Sequence, residues 1–184
     1  MVGRAFGRAA QRAQTLTGLI GATAPDFELV DQHGTPVRLS SFRASPETGG
    51  RNVVLVFYPW SFSSVCTGEL SALQDDVGAF VNDETVLLAI SVDSKFTQRA
   101  FADHRGLTFP VLADFWPHGE VARRYGVFDE GAGAALRGTF VIDRLGVVRW
   151  SVLRGIGEAR DPGAYKAALD ELRVTSAGTR RGAG

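Results

Sequence analysis

The stretch VVLVFYPWSFSSVCTGELSAL, residues 53–73, contains a strand, a loop and the start of a helix. In residues 52–58, Asn52 is followed by apolar, β-branched and aromatic residues without alternation, which predicts a strand that is buried on both faces. Pro59 prevents a simple continuation of that strand. Beyond a serine-rich loop, apolar residues recur at helical spacing and predict a helix over about 64–81. A strand followed by a helix is the repeating unit of an α/β fold.

Strand and helix patterns also alternate in the rest of the chain between Gly21 and Leu172. The helix predicted over 95–105 has Phe96 and Phe101 on its expected core side. The other predicted elements are short strands near 27–29 and 37–39 around a turn at His33-Gly34, strands at 85–91 and 109–112, a helix at 119–125, a hairpin of 138–143 with 147–153, and a last helix from Pro162 to near Leu172. This order predicts an α/β sandwich with a mixed central sheet flanked by helices.

The two ends of the chain differ from this central part, which we take as one domain over 21–173. Residues 1–20 carry Arg4, Arg8 and Arg12 at helical spacing and no acidic residue. We expect a flexible, solvated extension there, and a weak surface anchor or an organelle-type leader are alternatives. Residues 174–184 are expected to form a flexible tail.

Composition narrows the possible functions. The 184 residues are 45% hydrophobic with a formal net charge of zero, which disfavours a nucleic-acid partner, because phosphate backbones are bound through excess positive charge. No apolar run has the length of a membrane-spanning helix. The single cysteine excludes an intramolecular disulfide and a Cys-x-x-Cys pair. We therefore expect a cytoplasmic protein.

That cysteine, Cys66, falls in the first turn of the helix that follows the buried strand. Backbone N–H groups at a helix start lack internal partners and carry partial positive charge, so they stabilise an anion such as a thiolate. The alternative is an inert, buried apolar side chain. Ser61, Ser63, Ser64 and Thr67 favour the reactive interpretation, because hydroxyl groups suit a thiolate or a peroxide better than a packed thiol.

The segment Pro59-Trp60-Ser61-Phe62-Ser63-Ser64-Val65-Cys66 resembles the Pro-x-x-x-Thr/Ser-x-x-Cys signature of the peroxiredoxins. The resemblance extends from Ala24-Pro25-Asp26-Phe27 to the last helix and includes Arg137-Gly138-Thr139-Phe140. The stretch from Phe109 to Gly119 is similar to the alkyl hydroperoxide reductase E type, whose members are one-cysteine peroxiredoxins. This resemblance implies a thioredoxin-like fold.

The resemblance also implies a role for each matching residue. Cys66 would be the nucleophile that attacks peroxide and becomes a sulfenic acid. Arg137 would hold the thiolate and polarise the peroxide, and Ser63, where most members have threonine, would hydrogen-bond to the peroxide oxygens. Pro59 would shield the sulfur from water. Glu69 either orients Arg137 or is an acid favoured in a first helical turn.

Two aromatic residues beside the motif are open to two interpretations. Trp60 and Phe62 either line an apolar mouth for organic hydroperoxides or serve as core or interface aromatics. The histidines, His33, His104 and His118, lack metal-ligand spacing, so we expect no metal site. The stretch Gly131-Ala132-Gly133-Ala134-Ala135 is interpreted as a flexible connector.

The predicted function is therefore a thiol peroxidase that reduces hydrogen peroxide and organic hydroperoxides without a cofactor. Because no second cysteine is present, the reductant is expected to be an external thiol, mycothiol with a mycoredoxin or a thioredoxin. The resemblance also implies a homodimer. Two alternatives stay open: a thioredoxin-fold binding or chaperone-like protein with an inert cysteine, and a thiol–disulfide oxidoreductase, which the missing second cysteine disfavours.

Overall fold

The computed structural model describes residues 18–181, and the side chains of residues 18–172. The arginines of the predicted basic extension, Arg4, Arg8 and Arg12, lie outside the described residues. Within the described range, no helix combines the length and the apolar character that crossing a bilayer requires.

The described residues contain nine strands, most of which form one mixed sheet. The strands are β1 (Glu28–Val30), β2 (Pro36–Arg38), β3 (Asn52–Phe57), β4 (Thr85–Ser91), β5 (Val111–Ala113), β6 (Phe128–Asp129), β7 (Ala134–Ala135), β8 (Arg137–Ile142) and β9 (Val148–Arg154). The seven-stranded sheet has the order β2-β1-β5-β4-β3-β8-β9. Strands β3, β4 and β5 are parallel to one another, and their neighbours are antiparallel. A separate antiparallel pair is formed by β6 and β7.

A helix follows each parallel strand, and the last helix follows β9. They are α1 (Ser64–Asp75), α2 (Val77–Phe80), α3 (Lys95–Arg105), α4 (Glu120–Arg124) and α5 (Pro162–Arg181), and a 3-10 turn spans Leu39–Phe42. Every residue of β3 and β4 is buried, as expected for central strands that are covered on both faces. The predicted α/β class with a mixed central sheet is confirmed, and the fold is thioredoxin-like.

Apolar side chains form one cluster on each face of the sheet. One cluster contains Phe57, Tyr125 and Phe140 in mutual ring contact. The other contains Cys66 and Phe101, which come from α1 and α3, together with further side chains of the same face. Cys66 therefore lies at the boundary between an apolar core and the polar groups described below.

Two predictions about side chains and loops are wrong. Phe101 is fully buried, but Phe96 is 75% exposed, because five residues on an α-helix correspond to a rotation of about 140° and bring the two rings to different faces. The stretch 131–135 is not merely a connector. Ala134 and Ala135 are buried in β7 and pair with β6.

Two helix boundaries also differ from the prediction. The helix predicted over 64–81 is interrupted at Asp76, whose φ of −117° and ψ of 31° are not helical. The Asp76 carboxylate accepts a hydrogen bond from Lys166 Nζ at 2.5 Å. The last helix continues to Arg181 instead of ending near Leu172. The end of a helix is set by its backbone hydrogen bonds, which apolar spacing does not report.

Candidate active site

The helix start that carries Cys66 is formed as the sequence predicts. Ser63 is the N-cap residue, with φ −68° and ψ 144°, and its carbonyl oxygen accepts the Thr67 N–H at 2.9 Å. Cys66 lies in the first turn of α1, and its side chain has no exposed surface. The turn of residues 60–63, which we call the 60–63 turn, joins β3 to this helix.

Arg137, the first residue of β8, points its guanidinium at the sulfur. Its Nη2 donates to Cys66 Sγ at 3.3 Å, and its Nε donates to the Ile156 carbonyl oxygen at 2.7 Å. Its Nη1 donates to Glu69 Oε2 at 2.5 Å. Arg137 is only 1% exposed, so these contacts hold a buried cation in one orientation. Of the two interpretations of Glu69, the contact with Arg137 is the one observed.

A second buried arginine, Arg160, completes this cluster, and the sequence analysis missed it. Its Nη2 donates to Glu69 Oε2 at 2.9 Å, and its backbone N–H and Nε donate to Glu69 Oε1 at 2.6 and 3.1 Å. Its Nη1 reaches the carbonyl oxygens of Phe57 and Gly138. Arg160 stands in a polar loop before α5 and has no periodic apolar neighbours, so its sequence context resembles that of a surface arginine.

The charges of this cluster are nearly balanced. Burial alone would raise the pKa of Glu69, but the hydrogen bonds and charges of Arg160 and Arg137 outweigh it, so the pKa lies below the ordinary value of a glutamate. Glu69 is therefore ionised at neutral pH. One carboxylate then faces two guanidiniums, which leaves a single uncompensated positive charge when Cys66 is a thiol and none when Cys66 is a thiolate.

At this distance the Arg137 guanidinium would stabilise a negative charge on the sulfur. Two unit charges separated by the 3.3 Å between Arg137 Nη2 and Cys66 Sγ attract each other by about 5 kcal/mol at an effective dielectric constant of about 20. Removing an ion from water costs several kcal/mol, so this attraction offsets much of that cost. The unpaired N–H groups at the start of α1 act in the same direction.

The remaining predicted residues lie in the 60–63 turn or directly before it. Pro59 is buried. Ser63 is partly exposed, and its hydroxyl donates to the Trp60 carbonyl oxygen at 3.2 Å. Trp60 is 37% exposed and Phe62 is 53% exposed, so neither is a core residue. The Phe62 ring packs on Phe101, with ring centroids 5.1 Å apart.

The histidines lie apart from this site or act as packing partners. His118 shares a hydrogen bond with the Gly133 carbonyl oxygen at 2.7 Å, and His104 lies beside the Phe62 ring. The His33 backbone N–H donates to Asp31. Among the described residues, no group of three or more His, Cys, Asp or Glu side chains could hold a metal ion.

Comparison with known proteins gives consistent results. Residues 20–151 match the family model described as the AhpC/TSA family. The chain is 48% identical over 153 residues to alkyl hydroperoxide reductase E of Mycobacterium tuberculosis, covering 83% of this chain and 97% of that protein. Among solved structures, it is similar to peroxidoxin BcpB from Mycobacterium tuberculosis, with 35% identity, coverage of 84% and 96% and a TM-score of 0.70. It is also similar to the reduced 2-Cys peroxiredoxin of Plasmodium vivax, with 27% identity, coverage of 86% and 83% and a TM-score of 0.74.

Proposed function

Because the chain belongs to the AhpC/TSA family and is a one-cysteine peroxiredoxin, a thiol peroxidase, we propose that Cys66 is the residue that reduces the peroxide. The observation that supports this proposal most directly is the buried Arg137 guanidinium, 3.3 Å from Cys66 Sγ. From this position the guanidinium can stabilise negative charge on the sulfur, and the thiolate is the nucleophilic form of a cysteine. A cysteine packed only as an apolar side chain has no need of a buried cation.

The proposed reaction breaks the O–O bond of the peroxide. The Cys66 thiolate attacks one peroxide oxygen, an S–O bond forms, and the second oxygen leaves as an alkoxide or hydroxide that takes up a proton. The products are a Cys66 sulfenic acid and an alcohol or water. Arg137 stabilises the charge that moves to the leaving oxygen, and the Ser63 hydroxyl hydrogen-bonds to the peroxide. Pro59 shields the sulfur from water.

Glu69 and Arg160 act on the reaction through Arg137. Their contacts fix the direction of its guanidinium, and a catalytic group has to be held in one orientation to be effective.

We assign Trp60 and Phe62, which are exposed beside the start of the helix that carries Cys66, to an apolar mouth that accepts organic hydroperoxides as well as hydrogen peroxide.

The test is the rate of peroxide consumption, measured by stopped flow, for the wild type and Cys66→Ser. We expect the variant to react no faster than buffer and mass spectrometry to find one added oxygen on Cys66 in the wild type only. Ser41→Ala, which removes an exposed hydroxyl of the 3-10 turn, is the matched control and should remain active. Equal rates for the wild type and Cys66→Ser would support the alternative of a binding protein with an inert cysteine.

The sulfenic acid has to be reduced by another molecule, because the chain carries one cysteine. We propose that an external thiol condenses with the sulfenic acid, releasing water and forming a mixed disulfide, and that a second thiol releases Cys66. Mycothiol with mycoredoxin, or a thioredoxin, are the proposed donors, and a cytoplasmic location would supply them. Multiple-turnover assays with each donor identify the reductant, and cell fractionation tests the location.

We propose a homodimer formed by the aromatic residues at the carboxyl ends of the parallel strands. Phe96 follows β4, and Phe115 and Trp116 follow β5; they are 75%, 54% and 82% exposed. Exposed aromatic rings at one sheet edge are typical of an interaction surface. Analytical ultracentrifugation should find a dimer in the wild type and a weaker dimer in Trp116→Ser. A wild-type monomer at assay concentrations would contradict this proposal.

A further inference from the structure

The 60–63 turn contains a strained residue. Phe62 has a φ of +64°, in the left-handed region that a residue with a Cβ atom seldom adopts. Such strain persists only where surrounding contacts hold it in place, and it is common beside functional groups. Phe62 is followed directly by Ser63, the N-cap residue of the helix that carries Cys66. The conformation of Phe62 therefore sets where that helix begins.

The turn contains the Ser63–Trp60 hydrogen bond, its Ser61 hydroxyl lies 3.2 Å from the Tyr58 hydroxyl, and two further contacts hold it on either side of Phe62. The Asp93 carboxylate, from the segment after β4, accepts the Ser61 backbone N–H at 2.7 Å and the Ser91 hydroxyl at 2.9 Å. On the other side, the Phe62 ring packs edge-on against Phe101 at 5.1 Å. The hydrogen bond to the Asp93 carboxylate is the stronger of the two contacts, because a charged acceptor strengthens a hydrogen bond from a backbone N–H.

We propose that Asp93 is a positioning residue for the peroxide reaction. By accepting the Ser61 N–H, Asp93 keeps Phe62 in its strained conformation, and Phe62 in turn keeps Ser63 and Cys66 in the geometry that reacts with peroxide. This inference rests on the proposed function, since it concerns the reactivity of Cys66. Asp93 touches neither the sulfur nor the Arg137 cluster in the contacts described above, so it acts through the backbone of the 60–63 turn.

The first test replaces Asp93. The variant Asp93→Ala should react with hydrogen peroxide about tenfold more slowly, as expected for the loss of a hydrogen bond to a charged acceptor. Asp93→Asn keeps an acceptor oxygen and should remain within about threefold of the wild type. Asp103→Ala, which removes an exposed carboxylate of α3, is the matched control and should react like the wild type.

The second test asks whether Asp93 acts by holding strain. Glycine adopts positive φ without steric cost, so in a Phe62→Gly background the loss of Asp93 should slow the reaction by less than about threefold. A structural role for Asp93 that is unrelated to the turn would give the same loss in both backgrounds. An equal loss in both, or an unchanged rate in Asp93→Ala, would overturn the proposal.

Hydrogen exchange separates this inference from the proposed function. In Asp93→Ala, amide exchange should accelerate in the peptide that contains residues 60–66, while peptides from β3 and β4 keep their protection. This measurement needs no peroxide, so it tests the anchoring of the turn even if the wild type proves inactive. Unchanged protection of residues 60–66 would refute the role of Asp93 in holding the turn.

Discussion

Replacing Glu69 by glutamine tests whether its carboxylate balances the two buried guanidiniums. Glu69 accepts hydrogen bonds from Arg137 Nη1 and from three nitrogen atoms of Arg160, at 2.5–3.1 Å. In Glu69→Gln, an NH₂ group replaces one of the carboxylate oxygens that accept these hydrogen bonds. The N–H donors of the arginines then face another N–H donor. Both guanidiniums stay buried, and they lose the one carboxylate that pairs with them within residues 18–181.

The expected magnitude follows from this burial. Breaking a buried ion pair by removing one partner costs about 3–5 kcal/mol, because the remaining charge is left uncompensated. Glu69 is 7% exposed and both arginines are less exposed than that, so solvent cannot replace the carboxylate. We expect the free energy of unfolding of Glu69→Gln to fall by about 3–5 kcal/mol, and peroxide reduction to slow, because Arg137 is no longer fixed.

The pH dependence supplies a second readout with a defined sign. The pKa of Glu69 is lowered in the folded state, so its contribution to stability is fully present above the unfolded pKa of about 4.3 and is lost as the pH falls toward the folded value. Wild-type stability should therefore decrease on acidification below about pH 5, and Glu69→Gln should lack that part of the decrease.

Urea denaturation followed by circular dichroism, repeated between neutral and acidic pH, measures both effects. Glu47→Gln is the matched control, because Glu47 is an exposed glutamate, and its unfolding free energy should change by less than about 0.5 kcal/mol. A loss below about 1 kcal/mol in Glu69→Gln, with an acid response like that of the wild type, would refute the charge-balance reasoning.

Further predictions concern neighbouring residues. Arg137→Lys keeps a positive charge but loses the fork of donors that joins Cys66 to Glu69, so stopped flow should find peroxide reduction slowed at least about tenfold; an unchanged rate would contradict the role of Arg137. Arg160→Met leaves several buried acceptors unpaired, and urea denaturation should find a loss of about 3–5 kcal/mol, whereas wild-type stability would refute its structural importance. In Gly138→Ala the new Cβ would lie 2.6 Å from Val127 Cγ1, so the melting temperature should fall, corresponding to about 1–3 kcal/mol; an unchanged melting temperature would show that this contact yields without cost.

Much of the fold could be predicted from local patterns. The uninterrupted apolar runs identified β3 and β4, and the change from an apolar run through proline to helical spacing placed Cys66 in the first turn of a helix. These features depend on neighbours within a few residues, because side-chain periodicity reflects which surface of an element is covered. The motif around Cys66 indicated the family for the same reason: its residues are contiguous.

Helix limits and helix faces were harder to predict. Phe96 looked like a core residue because aromatic rings favour burial, yet its position on α3 directs it outward. Apolar spacing encodes neither the non-helical backbone angles at Asp76 nor the residue at which the last helix ends.

Only the tertiary structure showed how the charged part of the candidate site is assembled, because the resemblance implied Arg137 and left Glu69 open but did not indicate Arg160. Glu69 and Arg160 are 91 residues apart in the chain, and Ser61 and Asp93 are 32 apart. An isolated charged residue has no periodic partners, so its sequence context does not distinguish a buried ion pair from a solvated surface group. The sequence determined where the sulfur lies along its helix, whereas the packing of α1 against β8 and the loop before α5 determined which charges surround it.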